Sequence, residues 1–246
     1  MHISSYWRGM ALALLATPMA CVAADLRVSY HLAFSTPYVI VNGLTLTDGL
    51  MKDIGDAVAS VSGLSVSYHV TSRARLESEI IEGRYHMTCL IVPAWFREPA
   101  RMDWSIPLIT ENERYLIPKQ AADIVELDDL NGLMLGLIKN FRYPTLEKRI
   151  ADGQFIRDNS ADFHQALKKL KFGRVDAMLI KDLQLNHLLK HEPDAQRFKL
   201  ATRVESRNEL QCAISRHLPF DRSILEHAFQ QLKESGQLER IAAKYR

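Results

Sequence analysis

His187 and His191, four residues apart, are the first pair in this sequence with a spacing that could do chemistry. On a helix, positions i and i+4 share one face, as a metal-binding pair requires. No third ligand accompanies them, and a solvated helix face is the simpler account. Serine, histidine and aspartate spacing leaves a hydrolytic triad open, but no Gly-x-Ser-x-Gly elbow occurs. Cys89 and Cys212 lack the CxxC or Cys/His spacing of zinc sites. In an oxidising compartment they could form one disulfide, and two buried free thiols are an equal alternative. Asn140, Arg142 and Thr145 sit between an apolar run and a helical pattern, where helix N–H groups can hold an anion. The motifs therefore point to binding rather than to a metal centre, and they imply no cofactor.

The elements that must position these residues are read from pattern. A chain of 246 residues can form one large domain or two small ones. Its 47% hydrophobic and 24% charged content is ordinary for a globular protein. The net charge of +2 is scattered, giving no reason to expect nucleic acid or an anionic membrane surface as partner. At the N-terminus, Arg8 precedes the apolar run Met10 to Ala16, and Val22-Ala23-Ala24 leads into Asp25-Leu26-Arg27. A basic start, a short apolar stretch and small residues describe a signal peptide over residues 1–24, cleaved after Ala24. The run is shorter than the roughly 20 residues of a membrane-spanning helix. Cys21 could mark a lipoprotein, but Pro18 does not suit a lipobox. No further long apolar run follows, so the mature chain is expected to have no transmembrane segment.

Beyond Asp25, strand and helix patterns alternate, which predicts a mostly parallel α/β fold. Strands are expected at Leu26 to Tyr30, Ser65 to Val70, Met87 to Val92, Leu133 to Ile138, Val175 to Ile180 and Leu210 to Ser215. Helices are expected from Thr47 to Ser60, Arg73 to Glu82 and Tyr143 to Ala151, with another capped by Ser160. Two more, Ser223 to Glu234 and Gln237 to Tyr245, carry apolar stripes that must pack on something, the first sheet being nearest. A helix followed by Gly-Arg and an apolar strand occurs at Gly83-Arg84 and again at Gly173-Arg174, ninety positions apart. Each glycine ends its helix in a left-handed turn, and the repeat suggests two similar lobes.

Several segments together resemble the extracellular (periplasmic) solute-binding protein family 3, which serves polar amino-acid ABC importers. They are Gly49-Leu50-Met51-Lys52-Asp53-Ile54, Gly83-Arg84-Tyr85, Met102-Asp103-Trp104-Ser105-Ile106-Pro107-Leu108, Asp129-Leu130-Asn131-Gly132, Gly173-Arg174-Val175-Asp176-Ala177 and Gly236-Gln237-Leu238 with Ile241 and Lys244-Tyr245. The resemblance spans Leu26 to Arg246. It implies an α/β type II periplasmic-binding-protein fold, two lobes each with a mixed, mostly parallel sheet flanked by helices. Lobe one would comprise residues 25–117 plus 206–246 and lobe two residues 118–205, with crossings near Pro118 and Ser206. It further implies that an Arg of lobe one pairs with a ligand carboxylate and an Asp of lobe two with an ammonium. By that resemblance Asp182 takes the ammonium, and either Arg97 or Arg101 the carboxylate. Phe34 and Tyr38 resemble the aromatic residues that stack on ligand, and Trp95 could serve similarly. The apolar stretch Leu90 to Pro93 departs from the family's Ser/Thr there, leaving room for a different or more apolar ligand.

The expectation is thus a periplasmic, monomeric binding protein for a small polar solute, amino-acid-like or carboxylate, delivered to an ABC permease. Two alternatives share the fold, a periplasmic enzyme resembling cyclohexadienyl dehydratases and a sensor independent of transport.

Overall fold

The computed structural model describes residues 24–246. The signal peptide and the lipobox reading of Cys21 lie outside the described residues. Strand β1 (Asp25–Tyr30) pairs in parallel with β4 (Ser65–Val70) and β5 (Met87–Ile91), and helices α1 (Leu50–Ser62) and α2 (Arg73–Ile81) make the crossovers. Parallel strands need such long connections, and both helices end as their glycines predict, with Gly63 and Gly83 at φ +72° and +76°.

Helix α1 begins three residues later than its apolar period implied. Thr45–Asp48 is instead strand β3, hairpin-paired with β2 (Ile40–Asn42), and of the four residues of β3 only Leu46 is buried. Gly49 makes the change of direction at φ +107°, where a Cβ would lie 2.8 Å from the Tyr38 carbonyl oxygen.

After the short β6 (Asp103–Trp104), the chain leaves lobe one along β7 (Ile109–Pro118). Lobe two contains β8 (Met134–Ile138), α3 (Glu147–Ala151), β9 (Ile156–Ser160), α4 (Phe163–Lys171), β10 (Ala177–Lys181) and α5 (Asp182–His191). Ser160 does not cap α4. It pairs with Ile138 at the end of β9, and Asp162 caps instead, accepting from Gln165 N at 2.8 Å. The chain returns along β11 (Phe198–Ile214), a single strand of 17 residues where the pattern marked only its last turn into lobe one. It ends with α6 (Ser223–Glu234) and α7 (Gln237–Ala243).

One nine-stranded sheet runs β4-β1-β5-β11-β7-β10-β8-β9, with β6 branching from β11. Parallel strands lie at either end and the antiparallel pair β7/β11 lies between them. Register shifts between Leu200 and Ser206 place bulges in β11, which bend a strand and raise its twist. One apolar core unites β1, α1, β5, the end of β11, α6 and α7, so the C-terminal helices cover the first sheet. Two others lie on opposite faces of the second sheet, around Leu135 and Tyr115 on one side and Leu167 and Met178 on the other. Cys89 and Cys212 are disulfide-bonded across β5 and β11. None of the described helices is long and apolar enough to cross a membrane.

Candidate functional site

The residues that converge between the lobes all follow the carboxyl ends of parallel strands, where open α/β sheets gather ligands. His31 and Phe34 follow β1, Arg73 follows β4, Trp95 follows β5, Phe141 and Arg142 follow β8, and Lys181 ends β10. Strand alternation fixes the direction of Lys181. Ala177 and Leu179 belong to one core and Met178 and Ile180 to the other, so Lys181 continues the Ala177–Leu179 row. Opposite it on β7 is Glu113, in the row of Tyr115.

Lys181 reaches across into lobe one. Its Nζ stands 4.4 Å from the Trp95 ring centroid, 5.4 Å from Tyr38 and 5.7 Å from Phe34, within cation–π range of all three. The residue is only 7% exposed. His31 stacks on Phe34 at 4.1 Å between centroids and meets Phe141 edge-on at 5.6 Å. It is 2% exposed, and neither ring nitrogen has a hydrogen-bond partner among the described residues. Burial, reinforced by Arg73 and Lys181, holds its pKa well below the usual imidazole value, so it is neutral at neutral pH. Arg73 lies over Phe96 and near Phe141, its Cζ 4.8 and 5.9 Å from their centroids, and donates to the Trp95 carbonyl.

Two acids stand behind this surface. Glu111 on β7 accepts from the Tyr38 hydroxyl of lobe one and from Leu183 N of lobe two. Glu113 accepts from Ser206 at 3.3 Å. Loss of hydration pushes both carboxyls above their ordinary range, against the opposing pull of Lys181. Further contacts between lobes include the Arg142 guanidinium donating to the Phe96 carbonyl, Gln184 Nε2 donating to the Phe34 carbonyl at 3.4 Å, Lys190 Nζ donating to the Arg246 carbonyl at 2.5 Å, and Leu183 packed into the first core. In this closed arrangement two cavities of about 20 and 10 Å³ remain, meeting at Phe34 and Phe141. Neither exceeds the room of about one water, so a solute enters only if the lobes part.

Of the residues expected from sequence to bind, Phe34, Tyr38, Trp95 and Arg142 meet at this cleft. The others stand elsewhere. Asp182 is the first residue of α5, accepts from Asn112 Nδ2 at 2.9 Å and borders a separate depression with Thr110, Asn186 and Arg246. Arg97 and Arg101 are exposed on the outer side of α2, beside Glu77 and Glu98, and Arg101 pairs with Glu98 at 3.0 Å. Neither faces Asp182. Asn140, at φ +65°, and Thr145 are exposed in the turns before α3, which starts at Glu147 rather than Tyr143. His187 and His191 have ring centroids 4.3 Å apart, and no metal-sized group of three or more ligands occurs among the described residues.

Sequence reasoning missed His31, Arg73, Phe141, Glu113 and Lys181. One signal was legible. Lys181 directly follows the apolar run Ala177 to Ile180, and its parity puts it on the row of Leu179 rather than on a loop.

No protein-family model matches the chain, and no curated protein matches its sequence. Solved structures do match its fold. An ancestral arginine-binding protein bound to arginine superposes with a TM-score of 0.76 at 20% identity, over 91% of this chain and 99% of that one. The substrate-binding protein of an amino acid ABC transporter gives 0.70 at 17% identity, over 90% and 99%. An ancestral amino acid-binding protein described as a precursor of cyclohexadienyl dehydratase gives 0.73 at 19% identity, over 90% and 95%. The chain therefore has the two-lobed α/β type II periplasmic-binding-protein fold.

Proposed function

We propose that this chain is a solute-binding protein of the periplasm, exported by its N-terminal segment, which closes its lobes over a small polar solute and hands it to an ABC permease. The observation carrying this reading is the buried, unpartnered imidazole of His31, beside the unpartnered Oε2 of Glu111, at the seam into which Lys181 reaches from lobe two. Leaving such a group unsatisfied costs about 1–3 kcal/mol, so His31, with two idle ring nitrogens at 2% exposure, calls for a function. The strands β7 and β11 that join the lobes are the only described strands running through both, and hinge closure about such a pair is a common way to enclose a ligand. The reading as a binding site is supported by acids engaged with the protein's own hydroxyls, Glu111 with that of Tyr38 through Oε1 and Glu113 with that of Ser206. The Cys89–Cys212 bond supports an oxidising compartment.

A thermal-shift screen across amino acids, small acids and amines tests the reading. A ligand at 100 times its Kd adds about 2.7 kcal/mol of stability, a rise of several degrees. No shift with any solute would count against a binding role.

A further inference from the structure

We infer that Phe34, Tyr38 and Trp95 of lobe one form a seat for an alkylammonium group, and that Lys181 of lobe two is its resident competitor, which a cationic solute displaces. The inference rests on the solute-binding reading and adds how the cleft is regulated. Position argues first. All three rings belong to lobe one, and Lys181 Nζ meets them from lobe two, 4.4 Å from the Trp95 centroid, 5.4 Å from Tyr38 and 5.7 Å from Phe34. When the lobes part, the ammonium leaves with lobe two and the three rings are bared together. The closed form thus displays the kind of group that the seat accepts.

Chemistry argues second. An aromatic face is the negative side of the ring's quadrupole and attracts a cation within about 6 Å of the centroid. The seat therefore selects by sign without any net charge in the cleft. Glu113 opposes Lys181 in register and lines the same cavity, and Glu111 Oε2 is buried without a partner. These acids answer Lys181 in the closed form, and they answer a solute ammonium in its place. Exchanging one cation for the other leaves the charge of the site unchanged. Arg73 is no rival for the seat, because it lies over Phe96 and near Phe141.

Room argues third. The cavities left beside Lys181 hold about 20 and 10 Å³, no more than about one water each. A trimethylammonium group and the Lys181 ammonium therefore cannot share the closed cleft. A cation seated on lobe one keeps Lys181 out and the lobes apart. Lys181 in turn lowers the apparent affinity for that cation by the fraction of molecules in which it fills the seat.

Choline and its uncharged carbon isostere 3,3-dimethylbutan-1-ol test this on the purified protein. Both are titrated by tryptophan fluorescence, which Trp95 should report, and by solution scattering. Choline should change the fluorescence at millimolar concentration and enlarge the radius of gyration, and the alcohol should bind at least about tenfold more weakly. In Lys181→Met the competitor is gone, so choline should bind at least about threefold more tightly. Equal binding of the alcohol, or choline bound with an unaltered radius, overturns the inference, and the wild type decides both whether or not the variant folds. Unchanged or weaker choline binding by a folded Lys181→Met protein overturns it as well. If choline fails while another solute shifts the melting temperature, the inference falls and the binding role stands. If no solute of any class shifts it, both fall.

Discussion

At the scale of single residues, Glu111 shows how burial and position set behaviour. Its carboxyl lies where the lobes meet, and loss of hydration is the largest cause of its raised pKa. A raised folded-state value means that, above the unfolded pKa, the folded state binds more protons than the unfolded one. The contribution to stability is therefore full in acid and is lost as pH rises through the folded pKa. Glu113 shifts the same way for the same first cause. Glu111→Gln keeps an acceptor for Tyr38 and Leu183 while removing the charge. Melting temperatures between pH 4 and pH 8 should fall less steeply for this variant than for the wild type, and parallel curves would refute the assignment. Lys181 and Asp182 make the complementary point. They are adjacent in sequence, yet the last residue of a strand and the first of a helix face different surfaces.

Helix α1 illustrates the scale of elements. Gly55 lies within it, and an alanine in a helix is ordinarily better than glycine by about 1 kcal/mol. Here the added Cβ would come within 2.4 Å of the Tyr68 hydroxyl. That ring cannot easily yield, because its hydroxyl donates to the Lys52 carbonyl at 2.9 Å and to Asp56 at 2.7 Å. Gly55→Ala should therefore destabilise by about 1–3 kcal/mol in urea titration, and a stabilised variant would show that the helix moves freely on β4. The disulfide ties two strands of the same sheet, closing a sequence separation of 123 residues that contains all of lobe two. Replacing both cysteines by alanine should cost about 2–5 kcal/mol. An unchanged urea midpoint with and without reductant would mean that the bond is not formed in solution.

For the whole molecule, the balance between parted and closed lobes rests on few contacts. Arg142 pairs with Glu147 of its own lobe at 2.8 Å and donates to the Phe96 carbonyl of the other. Both partners of the ion pair are substantially exposed, so Arg142→Ala should change global stability by less than about 1 kcal/mol. Solution scattering should nonetheless show a larger radius of gyration before ligand is added, because a bridge between lobes is gone. An unaltered radius would assign closure to the other contacts between the lobes, those of Lys181, Glu111, Gln184 and Lys190 among them. A ligand can shift this equilibrium only by its preference for the closed form, which groups contributed from both lobes supply.

What the sequence by itself determined is local. Apolar stripes placed the helices, alternation or short apolar runs placed the strands, and glycines at positions 63, 83 and 173 ended helices because a left-handed turn costs glycine least. Those elements, in that order, define the two-lobed fold, and of the residues at its cleft Phe34, Tyr38 and Trp95 were expected from the family resemblance and Arg142 from its place after a strand. The rest depended on partners distant in the chain. Whether Ser160 begins a helix or ends a strand was decided by Ile138, and the length of β11 by its pairing with β7 in one lobe and β5 in the other. The charge facing the cleft is the sharpest case. A one-residue step along a strand reverses the face a side chain takes, so only the assembled sheet could choose Lys181 over Asp182 and set it opposite Glu113 in the cleft.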